Sequence, residues 1–169
     1  MSPTLKAISK AGIPEAIAKS ELYRYLNEPE EAESICHDIL VIEPHHQLAL
    51  RTLGLSITDQ FTGASTDRYS EVQNIFERLT DPYERYYYLG LLHERRAKVQ
   101  LRAGRLPHTV RVLLEEAMRC FEEAEKIRPK GNDDSILRWN RCARLLQSHA
   151  GAETHSTSEI IDAGDSRPD

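Results

Sequence analysis

Two kinds of helix alternate along this chain, and that alternation limits what it can fold into. One kind reads large-x2-Leu-Gly-x2-large: Leu50-x2-Leu53-Gly54-x2-Ile57 and, 36 residues on, Tyr86-x2-Leu89-Gly90-x2-His93. The other kind is Ala32-x3-Cys36-x2-Ile39-x4-Pro44, matched at identical spacing by Ala117-x3-Phe121-x2-Ala124-x4-Pro129. Each position has a packing reason. Gly54 and Gly90 let a paired helix approach closely, Ala32 and Ala117 do the same from the other side, and Cys36 and Phe121 fill the gap. Pro44 and Pro129 end their helices and turn the chain. Apolar residues recur at helical steps nearly everywhere, and no stretch alternates long enough for a strand, so the fold class is all-α.

The spacing predicts seven helices. The first runs from about Pro14 to Tyr25, with Pro14 in a first turn where its missing N–H costs nothing. The second starts at Asn27-Glu28-Pro29-Glu30-Glu31 and runs to about Ile42, with acids placed favourably for the helix dipole. The third spans His46 to Asp59, and Phe61 to Asp67 reads as a loop. The fourth covers Tyr69 to Leu79, with Val72, Ile75, Phe76 and Leu79 on one stripe. The fifth covers Tyr83 to Arg102 and stops at Ala103-Gly104. The sixth opens at Pro107 and ends before Pro129. The seventh runs to about Gln147. The expected organisation is an N-terminal segment over 1–12, a helical domain over 13–149, and an acidic tail over 150–169 that is disordered by composition.

These motifs resemble the tetratricopeptide repeat family over about residues 13–147. The resemblance implies a right-handed α-solenoid of about three helix pairs plus a C-terminal capping helix. The sequence departs from the pattern at several points. The first helix has Lys19-Ser20 in place of Leu-Gly, and the fourth has lost the Ala-x3-Phe spacing. The second pair has a long internal loop. Leu89 and Ala117 lie 28 residues apart where the family has 13, so extra helical turns or a loop are inserted between Arg95 and Thr109. The fifth and sixth helices are thus expected to project as a long hairpin.

Charge narrows the functional classes. The net charge is −5 with pI near 5.8, unlike the basic domain of a general nucleic-acid binder. It is unevenly spread: net −6 over residues 1–82, +5 over 83–149 and −4 over 150–169. No apolar run reaches the roughly 20 residues that span a bilayer. Cys36, Cys120 and Cys142 form no CxxC pair, which argues against a disulfide framework or zinc site and for a reducing compartment. The N-terminus lacks the apolar core of a secretory signal, so a cytoplasmic location is expected.

Catalytic chemistry finds no constellation. His93-Glu94-Arg95-Arg96-Ala97 begins like a zinc-protease helix, but Ala97 stands where the second His is needed, and His93 reads as a packing residue. His45-His46 reads as a polar turn. No P-loop, GxGxxG or GxSxG occurs, and the cysteines fall on faces expected to be buried and inert. Neither an enzyme nor a bound metal or cofactor is expected.

In the resembled family the first helix of each pair lines a concave groove that holds segments of partner proteins. Helical spacing places Ile17, Glu21, Arg24 and Tyr25 on that face, followed by Leu48, Arg51, Leu55 and Asp59. Glu84, Tyr87, Tyr88, Leu91 and Arg95 continue it, then Leu137, Asn140, Arg141 and Arg144. Arg supplies planar forks for carboxylates, Tyr supplies apolar area with a polar tip, and Asn140 can pair with a bound backbone. The expected function is a non-enzymatic adaptor whose groove takes a protein or peptide, acidic or ending in a carboxylate. The full Lys/Asn pattern of the family's carboxylate clamp is not present. Alternatively, Arg and Glu of neighbouring helices pair with each other. Two other functions compete with the adaptor: head-to-tail self-assembly of the acidic front on the basic rear, and polyanion or RNA binding by the basic 83–149 segment.

Overall fold

Helix starts follow the residues that satisfy or dispense with free backbone N–H groups. Pro14, Pro29 and Pro82 sit in the first turns of their helices. His46 Nδ1 accepts from the Ala49 N–H at 3.1 Å, and the Asp81 carboxylate accepts from the Tyr83 N–H at 2.8 Å. The resulting helices are α1 (Ile13–Tyr25), α2 (Pro29–Ile42), α3 (Gln47–Asp59), α4 (Tyr69–Glu77), α5 (Pro82–Arg102), α6 (Pro107–Lys126) and α7 (Asp134–Asp162). One 3₁₀ turn, Lys10–Gly12, precedes α1. The computed structural model describes residues 2–162 apart from 106, with side chains as far as His149. Among the described residues there is no strand. Helix α7, expected to end near Gln147, continues to Asp162, because no proline or glycine pair interrupts that stretch. Residues 163–169 of the expected acidic tail lie outside the described residues.

Each helix packs on its predecessor, and α1 also packs on α3, α3 on α5, and α5 on α7. No comparable packing joins α2 to α4 or α4 to α6 among the described residues. The odd-numbered helices therefore form one continuous layer, and the even-numbered ones pack chiefly on their sequence neighbours.

The close-approach positions sit where helices cross. A Cβ on Gly54 would stand 2.7 Å from Cζ of Phe76, and one on Gly90 would stand 2.7 Å from Cε1 of Phe121. Ala32 and Ala117 are fully buried. One expectation is corrected here. The fourth helix has kept its register, because Val72, Phe76 and Leu79 are as buried as Ala32, Cys36 and Ile39 in α2 and Ala117, Phe121 and Ala124 in α6. Only the small residue changed, from Ala to Val. In α1 the buried Ser20 takes the glycine position and faces a small partner, Cys36. The pairs Gly54–Phe76 and Gly90–Phe121 put no side chain against a large one, whereas Ser20–Cys36 puts two modest ones together, so each crossing is filled.

The long insertion consists of helical turns. Helices α5 and α6 are 21 and 20 residues long, and Ala97, Val110, Leu113 and Leu114 of their added turns are buried with Leu145 and Leu146 of α7 packed against them. The hairpin is thus held against α7 along its length. Its outer flank is covered by the long α3–α4 loop. Gly63, at φ +85°, presses on the Val99 carbonyl of α5, where a Cβ would lie 2.8 Å from that oxygen. The Asp67 carboxylate holds the loop by accepting from the N–H groups of Thr62 (3.0 Å) and Gly63 (2.8 Å).

Candidate binding surface

The layer of odd-numbered helices brings the charged residues of α1, α3 and α5 to one face, where they meet one another. Arg24 Nε donates to Asp59 Oδ2 at 2.8 Å, joining α1 to α3. Asp59 also pairs with Arg95 of α5, and Arg95 donates further to the Thr58 hydroxyl at 2.5 Å and the Leu55 carbonyl at 3.3 Å. Arg51 donates to Glu84 at 2.7 Å and lies over the Tyr88 ring. The pairing of neighbouring helices, one of the two readings open from sequence, is present at all three arginines. Such pairs contribute little each, typically below about 1 kcal/mol, but they fix the guanidinium directions.

The remaining expected groove residues are distributed unevenly. Tyr25 is 88% exposed at the end of α1. Leu91 is buried, and Leu55 is half-buried against the central core. Tyr87 turns toward α6, packing on Phe121 and stacking on Tyr83. Asn140 is half-buried, while Arg141 and Arg144 are exposed and form no ion pair among the described residues. Trp139 packs on the last helix pair and donates its indole N–H to Glu122 at 2.9 Å.

At the α5–α7 end the charge balance changes. Glu94 is fully buried, with Lys98 and Arg138 on its Oε1 (Arg138 at 3.4 Å), while its Oε2 has no hydrogen-bond partner. Above it lies a basin of about 310 Å³ walled by Asp59, Phe61, Arg95, Lys98, Arg102 and Arg138. Four cations there meet two carboxylates, Asp59 and Glu94. Sequence reading missed Glu94, Lys98, Arg102 and Arg138. The signal was available: steps of three and four from Leu91 reach Glu94, Arg95, Lys98 and Arg102, but the reading stopped at Arg95.

Other chemistry-bearing groups are accounted for by packing. His93 is half-buried with Nδ1 2.7 Å from the Tyr69 hydroxyl, and burial lowers its pKa. His46 serves as the α3 cap. Burial pushes the thiols of Cys36 and Cys120 up to about 11 and that of Cys142 to about 12, so they stay protonated and unreactive near neutral pH. Cys120, expected buried, is only half-buried. Among the described residues no group of three or more His, Cys, Asp or Glu is arranged to hold a metal ion, and no helix is long and apolar enough to cross a membrane.

Comparison with protein-family models, with curated proteins and with solved structures found no match for this chain.

Proposed function

We propose that this chain is a non-enzymatic adaptor, a short solenoid of the tetratricopeptide-repeat kind, whose odd-helix face holds an acidic segment of a partner protein. The observation that carries the reading is the excess of cations at the α5–α7 end of that face. Lys98 and Arg138 share one buried carboxylate, and Arg102, Arg141 and Arg144 add charge with no ion pair of their own among the described residues. Toward α1 the arginines are already paired, Arg24 and Arg95 sharing Asp59 and Arg51 on Glu84, so an acidic ligand gains most at the α7 end. Direct packing of α1, α3, α5 and α7 on one another supports the solenoid, because the inner layer of a curved stack is the one whose members approach most closely. Three free cysteines, with no disulfide among them, suit a reducing, cytoplasmic setting.

The test is a triple replacement, Arg102→Ala, Arg141→Ala and Arg144→Ala, in a chain whose helicity and melting temperature are checked. Co-purification from cell extract and direct titration with a Glu/Asp-rich peptide are both read. Loss of the acidic peptide and of the partner set supports the groove. An unchanged partner set in a folded variant sinks it.

Self-assembly is a second reading, favoured by the net charges of −6 over residues 1–82 and +5 over 83–149 and by Leu22, Tyr25 and Leu26, which are exposed at the C-terminal end of α1. Light scattering across a salt series separates the two: head-to-tail stacking dissociates as salt rises, whereas the adaptor remains one chain throughout.

A further inference from the structure

The α3–α4 loop and the added turns of α5 enclose a second pocket of about 310 Å³, which shares Phe61 with the basin at the α5–α7 end but is otherwise lined by different residues. It opens on a stripe of α5 carrying Arg96 and Gln100, beside the stripe that carries Arg95, Lys98 and Arg102. Its other polar walls are Ser65, Asp67, Tyr69 and Arg105, with Phe61 and Ala64 supplying apolar edge.

Two features distinguish it from an incidental hollow. First, its walls are pinned. Asp67 holds the N–H groups of Thr62 and Gly63, Gln100 donates to the Gly63 carbonyl at 3.4 Å, and Gly63 lies against the Val99 carbonyl. Second, its cations are not neutralised, and one of them, Arg96, is held in place. The Arg96 guanidinium lies 4.1 Å over the Tyr69 ring, and Tyr69 is in turn fixed by His93 at 2.7 Å. Stacking uses the face of a guanidinium and leaves its N–H edge available. Among the described residues neither Arg96 nor Arg105 pairs with a carboxylate. The one acid of the pocket, Asp67, is occupied by the loop's own donors.

We propose that this pocket binds a phosphate monoester. Two guanidinium edges match a dianion in charge, and the Ser65 hydroxyl and Gln100 amide add donors beyond those a two-oxygen carboxylate can use. The volume exceeds that of a bare anion and leaves room for the carbon the phosphate is attached to. A small free molecule and a phosphorylated side chain of a partner protein both present this group.

Calorimetric titration of the full chain at fixed ionic strength tests this. The ligands are inorganic phosphate, glycerol 3-phosphate, a short phosphoserine peptide, its unphosphorylated form and acetate. Saturable binding is expected for the phosphate ligands, with acetate and the unphosphorylated peptide weaker by about tenfold or more. Arg96→Gln and Arg105→Gln each weaken phosphate binding by about fivefold or more, and the Arg141→Ala, Arg144→Ala pair leaves it unchanged, which separates this site from the groove. Tighter binding of the phosphopeptide assigns the site to a modified partner, and tighter binding of glycerol 3-phosphate assigns it to a free ester. The proposal is overturned if no phosphate ligand saturates, if acetate binds equally well, or if Arg105→Gln, on the exposed turn where the fold does not depend on it, has no effect.

Discussion

At the residue scale, two side-chain environments give the sharpest consequences. Gly54 lies inside α3, where Ala is ordinarily favoured by about 1 kcal/mol. The added methyl would meet the Phe76 ring, and overpacking costs about 1–3 kcal/mol. Gly54→Ala is therefore expected to destabilise by up to about 2 kcal/mol in urea unfolding, and by less in a Phe76→Leu background, where the ring is gone. Equal effects in both backgrounds would remove the ring as the cause. Glu33 is the second case. Its carboxylate takes both Arg68 guanidinium nitrogens at 2.6 and 2.7 Å and a Gln60 amide, and the Arg68 hydrogen bond, acting against burial, holds its pKa down at about 2. A depressed folded-state pKa stabilises above the unfolded value near 4.5 and ceases to do so as pH falls toward 2. Glu33→Gln is thus expected to lower the urea midpoint at pH 7, with the gap to the parent chain closing between pH 4.5 and 2. A gap that stays constant over that range would show that the contact acts through packing alone.

At the element scale, the two irregular segments support each other. The α3–α4 loop is long because it covers the extended part of α5, and the added turns of α5 are protected because the loop is there. Asp67→Ala removes the acceptor for the Thr62 and Gly63 N–H groups. A loss of about 1–3 kcal/mol is expected, with faster hydrogen exchange confined to the loop and to Val99–Arg102. Exchange that rises uniformly over the chain would mean the loop has no local role. The buried Glu94 gives a second test between α5 and α7. Lys98→Ala with Arg138→Ala leaves a carboxylate enclosed without a cation, which costs about 3 kcal/mol or more. Replacing Glu94 together with them by Leu, Ala and Ala is expected to recover most of that loss, read by thermal unfolding.

For the whole molecule, packing separates paired from unpaired charge. Arg24, Arg51 and Arg95 are paired with Asp59 and Glu84, while Arg102, Arg141 and Arg144 form no ion pair among the described residues. Under the proposed adaptor function, this gives an acidic ligand a charge gradient along the face. Affinity for an acidic peptide is expected to fall about tenfold or more between 50 and 300 mM salt, because several exposed ion pairs form together and are screened. An affinity independent of salt would point to apolar recognition. The second pocket lies beside this gradient, and its ligand is expected to bind whether or not the groove is filled.

Local rules made the elements legible. Helix type, caps and the small-residue crossings depend on residues three, four and seven apart, and Leu53-Gly54, Leu89-Gly90, Ala32 and Ala117 all stand in the packed positions their spacing implied. The register of α4 was hidden only because Val72 replaced an Ala, a change of size that the core absorbed. What tertiary structure decided was the meeting of residues 33 to 44 apart: Arg24 and Arg95 on Asp59, Arg51 on Glu84, Arg138 on Glu94, and Gly63 against Val99. Long side chains reach in any of several directions, and a loop of nine or so residues has many ways to close. Only the finished packing selects one partner for each, and with it which positive charge is left over to bind something else.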